Sequence, residues 1–300
     1  MKNTTKMLKF ITFTVIFGLA MAACSNGTGS DSVSSGGIEE RFISEVNPGG
    51  TTVTITQYYG AGGNVTIPAQ IDGKPVTIIG QGAFQNKKLT KVTIPNSVTT
   101  IGPESFSFNL LNSISIPNGV TSIEADAFAF NHLTSVTIPN SVTSIELLAF
   151  DNNQLASVTI PNSVTYLSGF SNNLFTSITI PDSVTCIGDE AFKNNLLTSI
   201  TIPDSVTSID TEAFNINQLT SVTIPNNVSA ISYYAFINNP LTSVTIGSNV
   251  TLEYEKVFGE YSYEVYAFFS NGLNETYDAL GKAGGTYTRP DIYSNTWTKQ

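Results

Sequence analysis

One apolar pattern returns along most of the chain with a fixed period of 22 residues. The string at positions 133–154, LTSVTIPNSVTSIELLAFDNNQ, recurs with small changes, and the exception is one step of 20 residues between Leu155 and Phe175. A looser copy with an insertion around 71–75 precedes the regular ones. The regular copies begin at Leu89, Leu111, Leu133, Leu155, Phe175, Leu197, Leu219 and Leu241. A period held from 65 to 258 predicts a repeat solenoid, because such units bury their apolar faces only by stacking.

Each unit has the pattern of one turn of a coil. Val136 and Ile138 alternate as in a strand that points these side chains inward, and Pro139 ends that strand because it has no N–H. Val142 and Ile145 form a second, shorter apolar segment. An Ala-Phe step then fills the far end of the coil before an asparagine turn. The phenylalanine column predicts nine coils: Phe84, Phe106, Phe128, Phe150, Phe170, Phe192, Phe214, Phe236 and Phe258.

The two ends of a solenoid expose apolar surface, so caps are expected on both sides of the repeats. At the front, within 38–64, two strands at 42–46 and 51–57 joined by a turn at 47–50 predict a hairpin cap. At the back, we expect the aromatic residues of 259–300 to seal the last coil, and a separate aromatic binding domain is the alternative. These residues are Tyr261, Tyr263, Tyr266, Phe268, Phe269, Tyr287 and Trp297.

The first 24 residues have the features of an export signal. Three lysines precede an apolar run of 14 residues that ends at Ala23, which is shorter than the roughly 20 residues a membrane span requires. The small residues before Cys24 resemble the lipobox of bacterial lipoproteins, which implies removal of 1–23 and lipidation of Cys24. Ordinary cleavage nearby, with Cys24 uninvolved, is the alternative. The Ser- and Gly-rich stretch at 24–37 predicts a flexible tether.

The repeat LxxVxIPxxVxxIxxxAFxxN resembles the BspA-like, treponemal-type leucine-rich repeats of bacterial surface antigens. The resemblance covers 65–258 by motif and the flanking segments more loosely. It implies a β-rich leucine-rich-repeat solenoid with a parallel β-sheet along one face and extended or turn structure on the other. It also implies exposure at the cell surface and a role in adhesion, host-protein binding or aggregation between cells.

Together with the lipobox, this resemblance leads us to expect a lipid-anchored protein at the bacterial outer membrane or cell surface that binds a protein or a glycan. A passive structural or surface-coat solenoid is the alternative. Where the family often has cysteine in the turn, this chain has asparagines, whose amides we expect to bond backbone groups of adjacent turns. They are Asn109, Asn131, Asn153, Asn173, Asn195, Asn217 and Asn239.

Charge and composition argue against several function classes. Without 1–23 the chain has 10 basic and 23 acidic residues, a net charge of −13, and no basic stripe, so we expect no nucleic-acid partner. The single histidine, His132, occupies a turn position, and Cys186 has no histidine in register beside it. Zinc-type spacings and phosphate-binding glycine loops are absent from the sequence. We therefore expect neither enzymatic activity nor a cofactor.

Acidic residues on neighbouring coils leave calcium binding open as an alternative to a surface without a metal. Coils about 4.8 Å apart would bring such carboxylates within reach of a shared Ca²⁺. The simpler interpretation, which we prefer, is that the charges face water. The residues fall into two groups, Glu124, Asp126 and Glu146, and Asp189, Glu190, Asp210 and Glu212.

Outward positions of the first apolar segment form serine and threonine columns that are candidates for ligand binding. A regular threonine array can also order water, as in ice binding, but the curvature that the family resemblance implies argues against this use. Solvated β-forming residues explain the columns without any ligand. The candidate ligand-binding residues from these columns are Thr137, Thr159 and Thr179.

Irregular positions are further candidates, because a ligand must distinguish one coil from another. Tyr166 replaces serine in the shortened unit, which lacks two residues after Leu167, so the coil edge should recede there. An amphipathic ring beside a recess is a plausible anchor for a ligand, although Tyr166 could simply cover the gap. Tyr233 and Tyr234 interrupt a small and acidic stretch. Phe108 and Phe130 also depart from the repeat, and we interpret them as side chains that compensate for changes in local packing.

Cys24 is predicted to carry the membrane anchor. Replacing Cys24 with Ala removes the thiol that would be acylated, so the protein should leave the membrane fraction and lose its acyl label. The measurement is cell fractionation with metabolic fatty-acid labelling of full-length chains. An unchanged membrane fraction with unchanged labelling would contradict the prediction.

Overall fold

The computed structural model describes residues 41–248, 250–252, 258–259, 273–291, 294 and 296–300. The predicted signal peptide, Cys24 and the tether lie outside the described residues, as do the tail residues Tyr261, Tyr263, Tyr266, Phe268 and Phe269. In the part of the chain that is described, no helix combines the length and the apolar character needed to cross a membrane.

The described chain consists almost entirely of short strands joined by turns, as its β-branched and turn-forming residues favour. In chain order the elements are β1 (Phe42–Val46), β2 (Val53–Tyr58), β3 (Gly63–Thr66), β4 (Gln70–Ile71), β5 (Lys74–Ile79), β6 (Leu89–Thr93), β7 (Thr100–Ile101), β8 (Ser113–Ser115), β9 (Ser122–Ile123), β10 (Ser135–Thr137), β11 (Ser144–Ile145), β12 (Tyr166–Leu167), β13 (Cys186–Ile187), β14 (Ser208–Ile209), β15 (Ser221–Thr223), β16 (Ala230–Ile231), β17 (Phe236–Ile237), β18 (Ser243–Ile246), β19 (Thr251–Leu252), β20 (Phe258–Gly259), α1 (Leu273–Ala279), β21 (Gly285–Thr288) and β22 (Thr298–Lys299).

The longest sheet runs through the second apolar segment of every unit. Its order is β1-β2-β5-β7-β9-β11-β12-β13-β14-β16-β19, with β4 beside β5. From β2 to β19 the neighbours on this path are parallel, and from β5 onward they stay in register, so that Ile145 pairs with Ile123 on one side and Leu167 on the other. The sheet is parallel, as predicted. Its continuous ladder, however, follows the second segment, whereas within the described residues the first segments of neighbouring coils pair with each other only as β3–β6, β8–β10 and β15–β18.

The phenylalanine column forms the centre of the core. The eight rings from Phe84 to Phe236 are fully buried, and successive rings stack at centroid distances of 5.0 to 6.1 Å. The ninth member, Phe258, has its backbone paired with Phe236 in β20, and its side chain lies outside the described residues. One ring per coil therefore sets the spacing at which successive units pack.

The front of the solenoid is the antiparallel hairpin of β1 and β2, which pairs through β2 with β5. The hairpin extends the aromatic column, because Tyr58 stacks on Phe84 with ring centroids 5.2 Å apart and Phe42 lies 5.2 Å from Tyr58. The predicted strands at the front are thus present. That they protect the first coil as a cap stays a prediction.

The described tail packs against the last complete strand of the first segment. β21 pairs antiparallel with β18, and β22 pairs with β21. Tyr277, Tyr287 and Trp297 are buried, and the Tyr277 hydroxyl donates to the carbonyl of Gly247 at 2.8 Å. Arg289 lies over the Trp297 ring, with 5.1 Å between the guanidinium carbon and the ring centroid. Sealing of the last coil by the whole tail stays a prediction.

Buried asparagines connect each turn to the coil before it, which confirms the role expected for their amides. The Oδ1 atom of Asn131 accepts the backbone N–H of Leu111 at 3.1 Å. Its Nδ2 donates to the carbonyls of Phe106, at 3.0 Å, and Phe128, at 3.1 Å. The same set of partners recurs, for example around Asn217. Buried backbone groups that no strand can pair are satisfied in this way.

Phe150 is a direct test of the packing of the aromatic column. Replacing Phe150 with Ala should lower the free energy of unfolding by about 3–5 kcal/mol, because it opens a cavity between two stacked rings. Ser157→Ala, at an exposed position of the next unit, is the control and should change it little. Urea unfolding followed by circular dichroism measures both. Equal midpoints for the two variants would contradict the packing described here.

Candidate binding surface

The threonine candidates share one column on three successive coils. Thr137, Thr159 and Thr179 are all exposed, and each directly precedes the same buried isoleucine position of the repeat. Thr137 pairs in register with Ser115 between β10 and β8. Short hydroxylated side chains at one position of successive coils give a regular polar surface that a partner can approach closely. The structure therefore brings these three residues together, and their role in binding stays a prediction.

A second threonine column borders the long sheet, and it is not among the candidates predicted from the sequence. Thr143 donates its backbone N–H to the carbonyl of Thr121 at 2.8 Å and its hydroxyl to the same carbonyl at 3.1 Å. Thr165 and Thr207 repeat the hydroxyl bond with the coils before them. Because these hydroxyls already bond within the solenoid, this column is less available to a ligand. The repeat period alone could have located it.

Tyr166 packs against its own scaffold. The residue is half-buried, and a Cβ atom placed on Gly188 in the next coil would lie 2.4 Å from the phenol oxygen. Burial, together with the neighbouring Cys186 and carboxylates, raises the pKa of Tyr166 to about 12. The ring occupies space that a side chain at Gly188 would need, which favours the interpretation that Tyr166 covers the irregular coil. Ligand binding by Tyr166 stays a prediction.

The shortened coil replaces a missing backbone bond with a side-chain bond. In a regular pair of coils the N–H of Asp126 donates to the carbonyl of Leu147 at 3.1 Å. The shortened unit lacks the equivalent residue, and the hydroxyl of Ser168 donates instead to the carbonyl of Asp189 at 2.6 Å. Gly169 has a φ of 90°, and a Cβ there would lie 2.5 Å from the carbonyl oxygen of Glu146. The chain thus passes close to the preceding coil at this point.

The remaining tyrosine candidates form a pair on another coil. Tyr233 and Tyr234 are half-buried, with ring centroids 6.0 Å apart. Tyr234 has a φ of 58°, in the turn position that Glu212 occupies one coil earlier. Tyr166 lies three coils before them, on a strand of the long sheet. The sequence candidates therefore do not converge on one site but form a threonine column, a single tyrosine and a tyrosine pair.

The acidic edge is partly neutralised by a lysine. Lys193 forms an ion pair with Glu190 at 3.1 Å and another with Glu212. Burial opposes the charge of Lys193, but its bonds with the two carboxylates outweigh this and raise its pKa. Within the described ranges, no group of three or more His, Cys, Asp or Glu residues is arranged to hold a metal ion. The calcium alternative therefore has no support among these residues.

The two groups with nucleophilic or acid–base potential are separate. The Cys186 thiol donates to Asp210 and accepts from the Ser208 hydroxyl, each at 3.2 Å. Burial raises the pKa of Cys186 to about 11, so the thiol stays protonated at neutral pH, the form that is a weak nucleophile. His132 is exposed, and its backbone N–H bonds the carbonyl of Leu111. This geometry offers no activated nucleophile at Cys186.

Phe108 and Phe130 are too exposed for their role to be only the filling of space between coils. Their rings stack at 4.4 Å with an interplanar angle of 5°, yet 50% and 41% of the two residues' surfaces remain exposed. Both residues have left-handed backbone, with φ near 55°, which costs a bulky residue about 1–2 kcal/mol. The stacking of the two rings stabilises the folded chain by only about 0.5–1.5 kcal/mol, which does not offset this cost for two residues. The usual residue in this column is asparagine, as at Asn86, Asn152, Asn172, Asn194 and Asn238.

A family model and a solved structure both relate this chain to leucine-rich-repeat proteins. Residues 63–169 and 167–264 match the family model described as "BspA type Leucine rich repeat region (6 copies)". A leucine-rich repeat protein from Bacteroides ovatus ATCC 8483 is 19% identical, with 73% of this chain and 70% of that chain covered and a TM-score of 0.52. A search of curated proteins finds no significant match.

Two further solved structures are similar to this chain. The T. pallidum leucine-rich repeat protein TpLRR is 24% identical over 81% of this chain and 94% of that chain, with a TM-score of 0.36. The pneumococcal vaccine antigen PcpA is 17% identical over 74% and 86%, with a TM-score of 0.40.

Proposed function

Because the chain belongs to the BspA-type leucine-rich-repeat family, we propose that it is a surface-anchored bacterial lipoprotein whose solenoid binds protein ligands on host or neighbouring cells. Repeats of this family form a protein-interaction module and are generally binding scaffolds rather than enzymes. The observation that carries the proposal is the column of exposed hydroxylated residues on the first segment, which includes Thr137, Thr159 and Thr179.

The threonine column suits recognition of an extended partner. Eight coil steps of about 4.8 Å give a surface roughly 38 Å long, which is enough for a protein contact of ordinary size. Threonine is β-branched and stiff at χ1, so it loses little rotamer freedom when a partner binds. An exposed hydroxyl offers both a donor and an acceptor. A glycan could use the same groups, and binding to cells with and without their surface glycans distinguishes a glycan ligand from a protein ligand.

The anchor at Cys24 is the second part of the proposal. Lipidation there would hold the solenoid at the membrane through the Ser- and Gly-rich segment 24–37, with the repeats exposed at the cell surface. An outer-membrane location is the form we favour. Tyr166, Tyr233 and Tyr234 are secondary candidates for contacts that distinguish one coil from another. A passive surface coat is the competing function, and it differs in having no saturable ligand.

Saturable binding separates these functions. Purified mature chain, with Cys24 replaced by Ser to prevent acylation, is titrated onto host epithelial cells before and after enzymatic removal of surface glycans. The proposal predicts saturable binding that glycan removal leaves intact and that protease treatment of the cells abolishes. Linear, non-saturable uptake would contradict a binding function and favour the surface coat.

A pair of matched variants locates the contact. Thr137→Lys/Thr159→Lys places two long charged side chains on the first-segment column and should weaken binding by roughly tenfold or more, about 1.4 kcal/mol. Thr143→Lys/Thr165→Lys makes the same change on neighbouring coils beside the long sheet and should have a smaller effect. Tyr166→Ser restores the usual repeat residue. Unchanged binding in all three folded variants would exclude the surfaces proposed here.

A further inference from the structure

Charge is distributed unevenly along the solenoid. Positions 41–91 contain five basic and two acidic residues, a net charge of +3. Positions 92–248 contain one basic and eleven acidic residues, a net charge of −10. The first coils therefore have the opposite sign to the rest of the repeat array. A partner with negative charge would be attracted to this end and repelled by the remainder.

The exposed aromatic pair lies beside this positively charged end, on the first two coils of the acidic stretch. Phe108 and Phe130 belong to the second and third coils, and Leu110, two residues from Phe108, is 41% exposed. In the first coil the corresponding turn contains Lys87 and Lys88. The Lys87 ammonium lies 5.5 Å from the ring centroid of Tyr59, which is 64% exposed. Apolar and cationic side chains thus occur together on the turn edge of three successive coils.

A shallow groove on the adjacent strands extends this surface. It has a volume of about 370 Å³ and is lined by residues of the second and third coils, among them Lys91, Asn96, Ser113 and Ser115. Lys91 occupies the column that holds serine in the later units. The groove therefore combines a cation with hydroxyl and amide groups that can bond an extended peptide backbone.

The geometry of the rings selects among partners. Phe108 and Phe130 stack along the direction in which the coils repeat, so each ring covers one face of the other. A stack of this kind presents ring edges and two outer faces, where a further aromatic side chain can add, as Tyr58 does in the buried column. An anionic membrane would extend over the acidic coils beyond the pair and be repelled by them, whereas a short acidic segment contacts only the lysines at the front.

We propose that the front surface, formed by Tyr59, Lys87, Lys88, Lys91, Phe108, Leu110 and Phe130, binds an acidic protein segment that contains an aromatic side chain. The aromatic group extends the Phe108–Phe130 stack, and flanking carboxylates pair with the lysines. Its aromatic part lies on the turn edge, whereas Lys91 and the groove border the threonine column on the coils before Thr137. This inference depends on the proposed function in one respect, because it requires the chain to be a protein-binding module.

A labelled synthetic peptide tests this surface directly. The probe is a fluorescein-labelled heptapeptide with a central tryptophan between three glutamates on each side, titrated with purified mature Cys24→Ser chain at low ionic strength. We expect saturable anisotropy with a dissociation constant below about 1 mM. Binding should weaken as salt is raised, because the lysine–carboxylate contacts are solvent-exposed. The same peptide with alanine for tryptophan, or lysine for glutamate, should bind at least roughly tenfold more weakly.

Variants that restore the usual residue keep the fold intact. Phe108→Asn/Phe130→Asn places the residue preferred in left-handed turns at both positions, so it should fold at least as stably as the parent while binding roughly tenfold more weakly. Lys87→Glu/Lys88→Glu should abolish binding. Thr143→Lys/Thr165→Lys, which adds the same two charges beside the long sheet, is the matched control and should bind the peptide at least as well as the parent.

The outcomes separate this proposal from the proposed function. No saturable peptide binding, or equal binding by the parent and the Phe108→Asn/Phe130→Asn variant, would overturn the front surface while leaving cell binding through the threonine column untouched. Loss of parent self-association in sedimentation, caused by the same asparagine variant in the absence of peptide binding, would assign the surface to a second copy instead. Binding to phosphatidylserine vesicles without peptide binding would assign it to a membrane and equally overturn the proposal.

Discussion

The amide side chain of the buried asparagine in each turn is the interaction on which the solenoid depends. At Asn153 the Oδ1 atom accepts the N–H of Leu133 at 2.9 Å, and Nδ2 donates to the carbonyls of Phe128 and Phe150, both at 3.0 Å. These backbone groups lie in a turn where strand pairing cannot reach them. Leaving one of them buried and unpaired would cost about 1–3 kcal/mol. One side chain per unit therefore links the turn of its own coil to the coil before it.

The asparagine bonds and the phenylalanine stack support the same geometry. The carbonyls that accept from Asn153 belong to Phe128 and Phe150, so the amide fixes the backbone that positions two adjacent rings. Those rings stack at 5.5 Å. Polar and apolar contacts between neighbouring units thus act on the same residues, which is the nearest-neighbour coupling expected of a one-dimensional repeat. This rigid array leaves the outward positions free to vary without disturbing the core.

Much of the fold is predictable from the period alone, because the same local environment recurs in each unit. The inward Phe and Asn columns follow directly from it, and so do the exposed threonines. The pairing pattern is less predictable, since both apolar segments alternate well enough for strands. Only the structure shows that Ser144-Ile145 and its equivalents form the continuous ladder.

The candidate site is less predictable, because it depends on contacts between coils. The contact of Tyr166 with Gly188 joins residues 22 positions apart, and the ion pair of Lys193 with Glu212 joins residues 19 positions apart. Left-handed backbone at Phe108 and Phe130 also cannot be deduced from these residue types, since bulky residues rarely adopt it. The sequence shows that both phenylalanines depart from the repeat. The structure adds that both are exposed, so local packing alone no longer explains them.

Amide hydrogen exchange in an Asn153→Ala variant tests the central role of the asparagine most directly. The account predicts that the Leu133 amide loses protection while buried amides several coils away keep theirs, and that the unfolding free energy falls by at least about 1–3 kcal/mol. Asn162→Ala, at an exposed position of the next unit, should leave the protection of the Leu133 amide and the unfolding free energy unchanged. Full protection of Leu133 in a variant as stable as the parent would contradict the account.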